Sequence, residues 1–313
     1  MPLKRFKEED EDALRIGQIL YAKRFGLTLD RRLCTGCVIC TLVCPREAIT
    51  LKPVPRGPDG KAQPPRVDID ETKCDYHAIC AVTCPFGALK VTVNGEEAMP
   101  TVDKEAYPLL IRDIEIDSER CDPDCKVCEE VCPLDVISVT FEPLSPEEMT
   151  ARQRKGLPAT SQKTIVHVKK EQCAACKVCE VECPAQVIRV TKFFDGAITI
   201  HQDLCPEGCQ DCFDVCPVDA LYLGEDGKVY VKDPFCIYCG ACVNVCPRPE
   251  ALELSRTAVH HTPIKSGAWN KALERVTSTA GLTREFKAKR AAKAQDALKK
   301  LTAPKGEVST SER

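Results

Sequence analysis

The sequence predicts an α+β fold of three small tandem domains, each made of short β-hairpins and short helices, with helical N- and C-terminal extensions. Three observations predict it: a cysteine-rich run that recurs six times, a proline directly behind each run, and short β-type segments on both sides. With 23 cysteines in 313 residues and only 5 % aromatics, no repeat holds enough large side chains for a self-sufficient core. The cysteines must therefore hold each unit together.

The runs are Cys34, Cys37, Cys40, Cys44; Cys74, His77, Cys80, Cys84; Cys121, Cys125, Cys128, Cys132; Cys173, Cys176, Cys179, Cys183; Cys205, Cys209, Cys212, Cys216; and Cys236, Cys239, Cys242, Cys246. Four are spaced C-x2-C-x2-C-x3-C, with His77 in the second place of one. The third and fifth open one residue wider, as Cys121-Asp-Pro-Asp-Cys125 and Cys205-Pro-Glu-Gly-Cys209. Pro45, Pro85, Pro133, Pro184, Pro217 and Pro247 follow the last cysteines and fix the chain direction there. No cysteine lies outside the pattern, and with His77 the 23 cysteines fill six sets of four.

β-branched, alternating segments lead in at Arg66–Asp70, Ile111–Ile116, Thr164–Val168, Ala197–Ile200 and Lys228–Val231. Apolar segments lead out at Ala48–Leu51, Ala88–Val93, Val136–Phe141, Val187–Val190, Ala220–Leu223 and Ala251–Leu254. The stretch from the third cysteine through the Cys-Pro fits a helical turn or two. Each repeat thus reads strand, ligand loop, short helix, strand.

Disulfides explain the cysteines poorly. Their number is odd, and the N-terminus (MPLKRFKEEDEDALR) carries charges where a signal peptide needs an apolar stretch, so a cytoplasmic location is expected. No membrane span is expected either, because apolar stretches fall well short of the roughly 20 residues a bilayer requires. Zinc ribbons use two C-x2-C pairs about 15–20 residues apart, whereas here four ligands crowd into one short run ending in Cys-Pro. That spacing suits a cubane [4Fe–4S] cluster: three sulfurs wrap one cluster, and the fourth cysteine, expected to open a helix, reaches the partner cluster. Six clusters in three pairs follow, joining runs one with two, three with four, and five with six. Cys34, Cys37, Cys40 and Cys84 would hold one cluster of the first pair, and Cys74, His77, Cys80 and Cys44 the other. Pairing of runs four and five is the alternative. At His77 three readings stand: imidazole ligation, a [3Fe–4S] cluster beside a surface histidine, or an oxygen ligand from Asp75.

These spacings divide the chain into an N-terminal extension (1–29), two-cluster domains at 30–100, 101–192 and 193–256, and a basic helical tail (257–313). An amphipathic helix is expected around Ala13 to Phe25, where Leu14, Ile16, Ile19, Leu20 and Phe25 are apolar. Residues 52–66 (KPVPRGPDGKAQPPR) read as a solvated loop, and Ser145 is expected to cap a short helix at Pro146 to Lys155. The tail opens with His260-His261-Thr262-Pro263, holds Trp269, and carries ten Lys/Arg against three acids over 265–300. Because the chain's net charge is −3 and its last thirteen residues are neutral, residues 1–264 carry −10. The tail lacks interleaved aromatics, so no nucleic acid is expected, and it reads as a solvated helix or a clamp on an acidic subunit. No GxGxxG, Walker A or nucleophile–base pattern occurs, so no catalytic residue is expected.

The six Cys-Pro runs resemble bacterial-type ferredoxins over about residues 30–256, which implies three tandem two-cluster ferredoxin-like domains. HTPIKSGAWNKALERVTS, following CGACVNVCPRPEALELSRT, is similar to the end of the polyferredoxin subunit of formylmethanofuran dehydrogenases from methanogenic and related archaea. In that family the subunit passes low-potential electrons toward a buried metal–pterin centre that reduces carbon dioxide. The family subunit typically has eight runs; this chain has six. The resemblance implies a non-catalytic relay bound to catalytic and other iron–sulfur subunits of a large oxidoreductase complex, with soluble ferredoxin or heterodisulfide reductase as electron donor. A free multi-cluster carrier, or the polyferredoxin of a hydrogenase or heterodisulfide reductase system, are the alternatives.

Overall fold

The computed structural model describes residues 4–157 and 159–278. The chain opens with β1 (Lys4–Glu9), β2 (Ala13–Ile19) and β3 (Arg24–Asp30), an antiparallel meander. The helix expected around Ala13 to Phe25 is therefore two strands and their turn. Leu14 and Ile16 are buried while Arg15 between them is exposed, a period of two that a strand satisfies and a helix does not. Gly17 sits opposite Phe6, and a Cβ there would overlap the Phe6 ring. The absence of a side chain lets that ring lie flat across β2.

From β3 onward one nested pattern recurs three times. In the first instance α1 (Ile39–Val43), β4 (Ile49–Lys52), β5 (Arg66–Ile69), α2 (Ile79–Val82) and β6 (Leu89–Val93) follow. β4 pairs with β5 inside, while β6 returns to β3 outside, with Leu27 opposite Val91 and Leu29 opposite Leu89. The hairpin β6–β7 (Glu96–Glu97) completes a five-stranded sheet in the order β1-β2-β3-β6-β7. A short α3 (Pro100–Asp103) leads onward.

The second instance comprises β8 (Asp113–Ile116), α4 (Val127–Glu130), β9 (Ile137–Pro143), α5 (Pro146–Arg154), β10 (Gln162–Val168), α6 (Val178–Val181) and β11 (Ile188–Thr191). Again the inner pair is β9–β10 and the outer pair β8–β11. The third is β12 (Phe194–Ile200), α7 (Asp211–Asp214), β13 (Leu221–Leu223), β14 (Val229–Val231), α8 (Ala241–Val245) and β15 (Leu252–Val259), with β13–β14 inside β12–β15. The strand out of run four returns to the strand before run three, not to run five.

α5 lies where the capping box predicts it: the Glu148 N–H donates to Ser145 Oγ at 3.2 Å, and Glu148 Oε2 accepts from the Ser145 N–H at 2.8 Å. The 53–65 loop is not merely solvated. Arg56 donates twice to the Asp211 carboxylate, at 2.7 and 2.9 Å, and the Ala62 N–H donates to Asp214, so the loop lies across α7 of the third unit.

The tail begins with α9 (Gly267–Thr277), whose Ser266 accepts a hydrogen bond from the Trp269 N–H. Trp269, Ala272 and Val276 are buried against α1 and Tyr107, so this part of the tail completes the core rather than standing in solvent. Residues of all three units share that core: Val38 and Leu42 from the first, Ala174 and Val178 from the second, Val218 and Val243 from the third. Most of the expected basic charge, from Arg284 onward, lies outside the described residues. Among the described residues no helix is long and apolar enough to cross a membrane.

Candidate metal centres

Each run opens on a backbone turn that aims successive groups inward. The residue before the second ligand is left-handed in all six: Gly36, Tyr76, Asp124, Ala175, Gly208 and Tyr238, with φ between 53° and 67°. Four of these are not glycine, a conformation that costs roughly 1 kcal/mol or more and persists only where the surroundings over-determine it. Alternating right- and left-handed residues turn consecutive N–H groups into one concavity, which suits an anion such as an iron–sulfur centre. The third ligand lies in each short helix, and the fourth follows it. The fourth cysteine thus closes a helix rather than opening one, because Cys-Pro stops the turn. A further left-handed residue three positions on (Glu47, Gly87, Asp135, Gln186 and Asp219) bends the chain back over the fourth sulfur in five runs. The Ala48 and Ala88 N–H groups donate to Cys44 and Cys84 Sγ at 3.4 Å.

Electrostatic neighbours show which thiols face one another. Cys84 lies beside Cys34, Cys37 and Cys40, while Cys44 lies beside Cys74 and Cys80. Cys183 faces Cys121 and Cys128, with Cys125 beside them, and Cys132 faces Cys173, Cys176 and Cys179. Cys246 faces Cys212, which also neighbours Cys205 and Cys209, and Cys216 faces Cys236, Cys239 and Cys242. In each unit, then, the fourth cysteine of each run has thiols of the other run among its neighbours, as crossed sets require. Small hollows lie inside three of these sets, lined by Cys44, Cys74, His77 and Cys80, by Cys132, Cys173, Cys176 and Cys179, and by Cys205, Cys209, Cys212 and Cys246.

Burial pushes the Cys34 and Cys176 thiols up to about 11, Cys239 up to about 12, and Cys40 and Cys242 well above the usual range, with neighbouring thiols adding repulsion in each set. Such groups ionise only when a cation takes the proton's place, so the sites fit metal ligation and fit free reactive thiols poorly. Among the described residues no group of three His, Cys, Asp or Glu converges closely enough to hold a single metal ion.

His77 occupies the second-ligand position in backbone terms, following left-handed Tyr76 as Cys37 follows Gly36. Its Nδ1 accepts from the N–H of Ile79 at 3.4 Å, the same two-residue relation that joins Ile39 to Cys37 and Ala241 to Cys239. Nε2 is buried without a hydrogen bond and stands 3.4 Å from Asp75 Oδ1. Sequence reasoning missed the three cations that bind the backbone next to the ligands, Arg112, Lys192 and Arg256. Their signal was a charged residue in a strand or interdomain joint otherwise buried, clearest at Arg256, which shares the inward register of Leu252 and is only 1 % exposed.

Two family models, each described as 4Fe-4S dicluster domain, match residues 33–88 and 197–247 respectively. The chain is 32 % identical over 110 residues to polyferredoxin protein MvhB of Methanothermobacter marburgensis, covering 32 % of this chain and 25 % of that one. It is 37 % identical over 89 residues to the polyferredoxin-like subunit of the aliphatic sulfonate oxidoreductase of Pyrococcus furiosus, 25 % of this chain and 50 % of that one. The chain thus spans a quarter to a half of the length of these two relatives. A chain of the formate dehydrogenase–heterodisulfide reductase–formylmethanofuran dehydrogenase complex of Methanospirillum hungatei superposes with a TM-score of 0.74 at 34 % identity, over 88 % of this chain and 92 % of that one. Recurrent thiol turns, crossed sets and near-complete superposition lead to one assignment: the chain belongs to the 4Fe–4S polyferredoxins.

Proposed function

We propose that this chain is the non-catalytic electron-relay subunit of a formylmethanofuran dehydrogenase/heterodisulfide reductase-type complex. The observation that carries the reading is the superposition over 92 % of a chain of such a complex, at 34 % identity. The 24 residues from Cys34 to Cys246, His77 included, are the ligands of six [4Fe–4S] clusters. They lie in three two-cluster domains at 30–100, 101–192 and 193–256, a division supported by the three nested strand patterns. Bound clusters supply one-electron acceptance and release at low potential. The protein's part is to fix the thiols, to surround them with N–H donors, and to keep neighbouring sets close across the shared core. Catalytic and other iron–sulfur subunits are the partners, and the location proposed is the cytoplasm, where reducing conditions keep thiols free to ligate.

Anaerobic purification from the native host, with mass spectrometry of what accompanies the chain, tests the assignment. Catalytic subunits should co-purify, with about 24 iron atoms and matching sulfide per chain. A chain that elutes alone is a carrier, and one with substantial zinc and under half that iron is not a polyferredoxin. Crossed ligation has its own test. Cys84→Ser should perturb the cluster of Cys34, Cys37 and Cys40 and spare that of Cys74, His77 and Cys80.

A further inference from the structure

Three thiol sets, one from each unit, meet at the centre of the molecule, and a cation stands at each of their junctions. Between the first and second units, Arg112 Nη1 donates to Pro85 O and to Cys173 O, both at 2.9 Å, and Nη2 donates to Glu171 O at 2.6 Å. Pro85 adjoins Cys84, so this guanidinium touches the backbone of the Cys34/Cys37/Cys40/Cys84 set and of the Cys132/Cys173/Cys176/Cys179 set. Between the second and third units, Lys192 Nζ donates to Pro234 O at 2.7 Å and Cys236 O at 2.8 Å, and it lies close to Cys176.

Between the third and first units, Arg256 donates to Tyr238 O at 2.7 Å and Cys239 O at 3.1 Å, with Cys37 among its charged neighbours. The same junction is closed by Asn244, whose side chain donates to Gly36 O at 2.9 Å, and Val38 lies so near Gly240 that a Cβ there would meet its methyl group at 3.0 Å. One tripeptide assembles the centre. Lys192 is a junction cation, Phe193 stacks under Arg112 at 4.9 Å, and Phe194 under Arg256 at 5.5 Å.

Among the described residues the hydrogen-bond acceptors of all three cations are backbone carbonyls, not carboxylates. Arg256 is buried and Arg112 and Lys192 are half-buried, with Glu171 near Arg112 and Asp195 near Lys192 but neither carboxylate hydrogen-bonded to them; positive charges so placed are unfavourable unless another anion lies nearby. A cluster held by four thiolates is that anion, and it gains a further negative charge on reduction. We propose that Arg112, Lys192 and Arg256 are tuning residues, each shared by two clusters, that raise the potentials of the three central clusters together and join them into one electron-sharing hub. Each cation offsets the repulsion that an electron on one cluster exerts on an electron arriving at the next. Burial alone would lower the potentials of these clusters by removing water from the reduced form.

The inference rests on the thiol sets being cluster sites, and the iron content of each variant separates failure of that reading from failure of this one. Arg112→Gln and Lys192→Gln, alone and combined, are compared with Arg112→Lys and Lys192→Arg in the loaded full chain by anaerobic redox titration followed by electron paramagnetic resonance. Each neutral substitution should lower two midpoint potentials at once. The double variant should lower three, one of them by the sum of both shifts, because the Cys132/Cys173/Cys176/Cys179 set adjoins both cations. The charge-retaining variants should keep the parent's potentials. Shifts in one signal or none, or equal shifts in the charge-retaining variants, would overturn the proposal. Should Arg112→Gln load iron incompletely, Lys192→Gln decides alone by the same criterion of two shifted signals.

Discussion

Cys236, Cys239 and Cys242 of the sixth run are each less than a tenth exposed, whereas Cys121, Cys125, Cys128 and Cys132 of the third are all partly open to solvent. The two runs use the same ligands and differ at the opening turn. The sixth places apolar Ile237 and Tyr238 between its first two cysteines; the third inserts a residue and uses Asp122, Pro123 and Asp124. Ile237 and Tyr238 are buried in the core that also holds Val38 and Phe194, while Asp122, Pro123 and Asp124 are exposed. An anionic centre in water is stabilised by solvent and one in a core is not, so the buried run needs Arg256 and the exposed run needs nothing comparable. Loop chemistry in the repeat therefore sets each site's surroundings.

Removing the cover from the buried region should have the largest effect. Trp269 is 2 % exposed and contacts Tyr107 edge-on with centroids 6.1 Å apart. Trp269→Ala should destabilise the loaded chain by about 3–5 kcal/mol, measured by anaerobic denaturant unfolding. Truncation before His260 should do at least as much, since it also removes the strand-like contact of His260 and Thr262 with Ile111 and Leu109. A truncated chain as stable as the parent would mean that α9 is an appendage.

A second contrast concerns His77 and its all-cysteine neighbours. Neutral imidazole in place of a thiolate removes a negative charge from the cluster shell and favours the reduced form. His77→Cys should therefore lower the potential of that cluster and leave its iron count unchanged. If the variant instead gains iron, the native site is a three-iron cluster and His77 is not a ligand. Order of attack tests the burial contrast itself. During slow anaerobic chelation with iodoacetamide present, peptide mass spectrometry should find Cys121 and Cys125 alkylated before Cys236, Cys239 and Cys242. Equal rates would show that global opening, not local exposure, governs release.

Much of this was legible because cubane ligation leaves a rigid spacing that no packing argument can imitate. The recurrent cysteine turns, the flanking strands and the Ser145 cap follow from local rules. The N-terminal meander was misread because Leu14, Ile16, Ile19 and Leu20 fit neither period cleanly. What decided it was a long-range pairing of β3 with β6, 68 residues apart at Phe25 and Val93, which no window along the chain contains. The buried face of α9 was hidden by its charge. Lys271, Glu274 and Arg275 suggest solvent, yet Trp269, Ala272 and Val276 recur at three- and four-residue steps and define an inward stripe. The crossing of Arg56 onto Asp211 spans 155 residues and had no local signature at all.

That crossing sets the smallest and most specific test. The fifth run has the same widened opening as the third, yet its Asp211 and Cys212 are buried, and the first unit's 53–65 loop lies over them. The Arg56 side chain is 58 % exposed, so solvent screens the pair and Arg56→Ala should cost little, less at high salt. The cost should still be measurable because Asp211, with a side chain only 11 % exposed, would be left without its partner. Asp211→Asn in the same chain should recover part of it. Alkylation gives the local readout: with the clamp weakened, Cys209 and Cys212 should be modified at rates approaching those of Cys125 and Cys128, while Cys236 stays slow. If the rates of run five do not move, the loop's apolar and backbone contacts, the Ala62 N–H to Asp214 at 2.8 Å among them, hold the cover without the ion pair.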